Sequence, residues 1–105
     1  MMRELGDKLG TVYSLEAFAI LNATEDKTEP AVRLWGAAER LREEIGSPLP
    51  SNDRDEYDRK VAEARSVLGE TEFSAAWAEG RKMTIEQAIL IAMQGKQNKS
   101  SQTDL

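Results

Sequence analysis

The sequence contains neither cysteine nor histidine. Without cysteine there is no disulfide, no thiolate nucleophile and no sulfur-ligated metal, a composition expected of a reducing cytoplasm. Without histidine the commonest general base, metal ligand and near-neutral proton switch is missing as well. Ser14, Ser66 and Ser74 therefore have no imidazole to activate them. No apolar run approaches the ~20 residues needed to span a bilayer, and the N-terminus lacks a charged-then-apolar secretion signal. Strand patterning is absent too, because Val and Ile fall at helical spacing and never alternate with polar residues over a strand length. Nor is there a basic stripe: 14 Lys and Arg stand against 19 Asp and Glu, a formal charge of −5, which makes nucleic acid a poor partner. The expectation is a cytoplasmic all-α protein with no membrane or nucleic-acid role.

What is present is helical periodicity. The 105 residues amount to one domain, large enough for a core without staples. We assign residues 1–94 to a single helical domain and 95–105 to a disordered polar tail. Five helices are expected. The first runs from about Arg3 to Ala23 and is apolar nearly all round: Leu5, Leu9, Val12, Leu15, Phe18 and Ala19 make one side, Tyr13, Ala17, Ile20 and Leu21 much of the other. Between Val12 and Ala23 only Ser14, Glu16 and Asn22 are polar. The second starts near Pro30, buries Ala31, Leu34, Trp35, Ala38, Leu41 and Ile45, and stops at Gly46 ahead of Pro48 and Pro50. Its Glu39, Arg40, Arg42 and Glu43 are expected on the outside in weak surface pairs.

The third helix opens with Asn52 or Asp53 as cap and Glu56 at the capping-box position, carries Tyr57, Val61, Ala64 and Leu68, and ends at Gly69. The fourth, about Thr71 to Lys82, buries Phe73, Ala76 and Trp77, with Gly80 allowing close packing or unwinding. Thr84 caps the fifth with Gln87 at the box position. Ile85, Ala88, Ile89, Ala92 and Met93 form its inner face, widened by Leu90 and Ile91.

Leu15, Phe18, Ala19, Ala31, Trp35 and Ala38 fall at the offsets of a degenerate tetratricopeptide repeat, with Asn22 where a bulky apolar residue is usual and Asp26 where a turn glycine is common. The succession Gly6-Asp7…Gly10, Leu34-Trp35-Gly36-Ala37-Ala38-Glu39, Ile45-Gly46-Ser47-Pro48-Leu49-Pro50, Glu56-Tyr57, Leu68-Gly69 and Phe73–Arg81 resembles, over residues 5–94, the C-terminal helical region of bacterial signal-transduction ATPases and LuxR-type transcriptional regulators. The resemblance implies a tetratricopeptide-like hairpin followed by a helical cap that closes a superhelix. It transfers neither ATPase nor DNA-binding activity, because this chain shows no phosphate-binding loop and no helix-turn-helix.

Carboxylates are plentiful, but Glu39, Glu43 and Glu44, and Asp53, Asp55, Glu56 and Asp58, fall on solvent-facing positions or at a helix start, where acid favours the dipole. Asn52–Glu56 lacks the glycine and spacing of a calcium loop. No catalytic residue, cofactor or metal is expected. Trp35 and Trp77 read as core anchors, with a ligand pocket between helices two, three and four as the functional alternative. The expected function is a non-enzymatic protein–protein interaction or scaffold module; the alternative is a small-ligand-sensing domain of a transcriptional regulator. The surface is expected on the first helix, at Leu9, Tyr13, Ala17, Ile20 and Leu21. A preceding repeat would cover that face in a superhelix, so the separate chain is expected to form a two-fold homodimer or to dock on another protein.

Overall fold

The computed structural model describes residues 2–93, with side chains from residue 8 onward. Four helices, α1 (Met2–Thr24), α2 (Thr28–Ile45), α3 (Ser51–Leu68) and α4 (Glu70–Lys82), precede α5, whose described part is 85–93. The fold is all-α, and no strand occurs among the described residues. The polar tail assigned to 95–105 lies outside them.

Helices α1 and α2 form an antiparallel hairpin. Its turn is closed by the Lys27 N–H donating to the Asn22 carbonyl at 2.8 Å. Asp26 in that turn has φ +65°, the left-handed region that favours glycine and that Asp tolerates better than most residues. Asn22 is buried, yet its side-chain amide donates to the Phe18 carbonyl at 2.8 Å. A polar residue at an apolar position is thus satisfied within its own helix turn.

At the far end of the hairpin, α2 stops as its sequence requires. Gly46 has φ +67°, ψ +35°; its N–H donates to Glu43 and that of Ser47 to Arg42. Both bonds of the Schellman arrangement are made.

The second helix is the centre of the molecule. Ala31, Val32, Leu34, Trp35, Gly36, Ala37, Ala38, Leu41 and Arg42 are all buried, far more than the single apolar stripe expected. The extra burial comes from α4, which crosses α2 at two glycines. A Cβ on Gly36 would lie 2.5 Å from the Trp77 carbonyl oxygen, and one on Gly80 would strike the Arg33 carbonyl. Main chain therefore meets main chain, and Gly80 serves close packing.

Two helix details depart from the sequence reading. Helix α3 opens at Ser51 with Pro50 in the N-cap position and no side-chain cap bond, rather than at Asn52 or Asp53. The φ of −60° and ψ of 145° at Pro50 already match the extended conformation of an N-cap, so the helix starts before the Asp53–Glu56 pair is reached. In α5 the Thr84–Gln87 capping box forms, with both bonds at 3.1 Å. Its inner face is narrower than expected: Ala88 and Ala92 are buried and Ile85 and Ile91 half-buried, whereas Ile89, Leu90 and Met93 are exposed. Two alanines four apart let the helix approach closely and turn its larger neighbours outward.

Candidate interaction surface

The first helix buries Val12, Leu15 and Ala19 against α2 and turns another apolar set away from it. Tyr13 is 54% exposed, Ile20 40% and Leu21 46%. Ala17 between them is exposed and Leu9 is half-buried. Gly10 faces open space; the side-chain position of Gly6, four residues earlier, lies outside those described. Glu16 is the only charged residue from Leu9 to Thr24, and it stands between Tyr13 and Ile20 at the edge of this face.

Glu16 meets Arg42 in an ion pair that the sequence reading missed. The Arg42 guanidinium donates to both Glu16 carboxylate oxygens, at 2.7 and 2.9 Å, and to the Ser47 carbonyl at 3.0 Å. It lies 5.6 Å from the centre of the Tyr13 ring. Arg42 was expected on the surface of α2 but is buried. Hydrogen bonding to Glu16 is the main cause that raises its pKa. The pair ties α1 to the end of α2 and to the loop after it. The signal available in the sequence was Glu16 itself, a lone charge in the otherwise uncharged stretch from Leu9 to Thr24.

The expected surface pairs of α2 are also rearranged. Arg40 binds Glu44 at 2.9 Å. Glu39 and Glu43 both turn to Arg81 of α4, at 2.8 Å each. The hydrogen bond from Arg81 holds the Glu43 carboxyl below its ordinary pKa. Glu39 also accepts from the Trp77 indole N–H at 3.0 Å. These carboxylates fasten α4 across α2.

Between α1 and α3 runs a groove with α2 as its floor. Tyr13, Glu16 and Ile20 form one wall; Asp53, Glu56, Tyr57 and Lys60 form the other; Trp35 and Arg42 lie beneath. At one end it widens to about 340 Å³ beside Gly46, Ser47, Pro48 and Leu49. At the other a pocket of about 160 Å³ lies among Ile20, Ala23, Glu63, Ala64 and Val67. Tyr57 and Trp35 meet edge to face at 6.3 Å, and burial pushes the Tyr57 hydroxyl well above its ordinary pKa.

The structure does not bring the two tryptophans into this groove together. Trp35 is buried in its floor. Trp77 is half-buried outside it, stacked on Phe73 at 5.5 Å. The α3 acids Asp53, Asp55, Glu56 and Asp58 are exposed, and no cluster of three or more metal-capable side chains occurs among the described residues. No described helix is long and apolar enough to cross a membrane.

Over 87 residues, 83% of this chain, the sequence is 30% identical to proteins of Mycobacterium tuberculosis and Mycobacterium bovis named "Putative HTH-type transcriptional regulator". The chain spans about a tenth of the length of these relatives, the match covering 10% of each. No family model matches the chain, and no solved structure does either.

Proposed function

We propose that this chain is a non-enzymatic, cytoplasmic protein–protein interaction module, a tetratricopeptide-like hairpin with a helical cap, of the kind that forms a small part of large transcriptional regulators. The observation that carries this reading is the outward face of α1. Tyr13, Ile20 and Leu21 stand 40–54% exposed around Ala17, and the only charge in that stretch is consumed by Arg42. A contiguous uncharged apolar face on a chain that is 31% charged marks a docking surface. The similarity to a short segment of much larger regulators supports a part that works by contact with other protein.

The face suits a second copy of the chain in a two-fold dimer, since a neutral apolar strip juxtaposes no like charges when it meets itself. Sedimentation velocity tests this. The wild-type chain should sediment as a dimer and the Leu21→Asp variant as a monomer of unchanged helicity. A wild-type monomer unaffected by the substitution overturns the self-association.

A further inference from the structure

The groove between α1 and α3 is a different surface from the outward face of α1, sharing only its Tyr13 and Ile20 edge. Apart from the paired Arg42, its base is apolar, with Trp35, Tyr57 and Leu49 at one end and Ala23 and Ala64 at the other. Its charged lining is unbalanced: six carboxylates against three cations, Arg42, Arg54 and Lys60. Acid still exceeds base by two when Arg81, which reaches Glu39 and Glu43 from α4, is included. Arg42 is fully engaged by Glu16 and by main-chain carbonyls. Asp53 and Glu63, on the α3 wall, make no ion pair among the described residues.

We propose that this groove receives a helix of a partner protein that carries one apolar stripe flanked by lysine or arginine. The proposal rests on the reading of the chain as a protein-docking module. The form of the occupant follows from the walls. Both are α-helices whose main-chain groups are bonded internally, so an extended peptide would lay unpaired amides on an apolar base, whereas a helix satisfies its own. From Asp53 to Val67 the α3 wall rises about 21 Å, room for about four helical turns. The charge follows from the rim: excess carboxylates favour a cationic flank, and a second copy of this chain, at −5, is the wrong sign.

The test uses three labelled helical peptides of about 16 residues, followed by fluorescence anisotropy. One carries a leucine stripe with lysine flanks, the second the same stripe with glutamate flanks, and the third serine in place of leucine with lysine flanks. The full chain should bind the first at least about tenfold tighter than the other two. Glu56→Lys/Glu63→Lys, at exposed positions on α3, should weaken that binding about tenfold or more. Glu72→Lys, an equal change per site on α4 away from the groove, should leave it unchanged. Leu21→Asp should also leave it unchanged, so that loss of self-association and loss of peptide binding are read separately. Equal binding of the lysine- and glutamate-flanked peptides, no binding of the first peptide by correctly folded chain, or equal weakening by Glu72→Lys overturns the proposal.

Discussion

Gly36 of α2 and Gly80 of α4 lie against each other's helix where the two cross, Gly36 beneath the Trp77 carbonyl and Gly80 beneath the main chain of Arg33. Around that point Arg33 reaches Glu79, and Glu39 and Glu43 reach Arg81. The glycines set how closely the helices approach, and the ion pairs only bracket that contact. Elsewhere in a helix a glycine-to-alanine change is stabilising, because alanine loses less backbone entropy.

The crossing should reverse that sign. Gly36→Ala and Gly80→Ala should each destabilise the chain by about 1–3 kcal/mol, the usual range for an added methyl in a packed contact. Gly10→Ala, whose Cβ would meet nothing within 4 Å, should stabilise by about 1 kcal/mol. Thermal unfolding separates them, since about 1 kcal/mol moves the midpoint by roughly 4–8 °C in a domain of this size. A raised midpoint for Gly80→Ala would show that the helices do not touch there.

The Glu16–Arg42 pair should behave as a buried one. The Arg42 side chain is 7% exposed and that of Glu16 18%. Glu16→Gln leaves a buried guanidinium without its counter-charge. The loss should approach the roughly 3–5 kcal/mol of a broken buried pair, lessened by the partial exposure of Glu16. Arg42→Lys should not restore stability, because an ammonium cannot reproduce the two-pronged contact. Urea denaturation of Glu16→Gln, of Arg42→Met and of the Glu16→Gln/Arg42→Met double variant gives the coupling, and additive losses would mean the pair contributes nothing specific.

Alkaline stability should depend on Tyr57. Its folded pKa lies above the unfolded value of about 10, chiefly through burial. The unfolded chain then releases the proton first, so the tyrosine's contribution is complete below about pH 10 and falls as pH rises further, by up to about 1.4 kcal/mol per pH unit. Tyr57→Phe keeps the ring against Trp35 and removes the slope. An unchanged alkaline limb in that variant would contradict the buried hydroxyl.

Glu43 acts at the acid end. Its folded pKa is lowered by the hydrogen bond from Arg81, so its contribution is present above the ordinary carboxylate range and is lost as pH falls through the lowered value. Glu43→Gln should be less stable than wild type near neutrality, and the difference should close as pH falls below both pKa values. Denaturant midpoints measured across that range show whether the difference closes.

The elements were legible because their signals are local. Gly46, placed after Ile45 and before Pro48, could end α2 in only a few ways, and the observed left-handed cap is one of them. Thr84 and Gln87 meet because residues three apart at a helix start face one another. That α1 carries a single charge from Leu9 to Thr24 was visible as composition alone. The partners of charged side chains on α2 were not legible. Arg42 sits in a run, Glu39 to Glu44, where every residue but Leu41 is charged; helical phase puts it in line with Trp35, Ala38 and Ile45, but its charge pointed to the surface, and its partner Glu16 lies on another helix.

The sequence by itself determined an all-α chain, the start and stop of most of its helices, and an apolar excess on the first of them. Backbone hydrogen bonding, capping and 3.6-residue periodicity act over a few residues, and those are written in order along the chain. Only the tertiary structure decided that α2 lies at the centre, that α4 crosses it at Gly36 and Gly80, that Glu16 neutralises Arg42, and that α1 and α3 stand apart to leave an acidic groove. The last three of these join residues 26 or more positions apart. Such contacts are set by which side chains fit together once the helices stack, and not by the residues on either side in sequence.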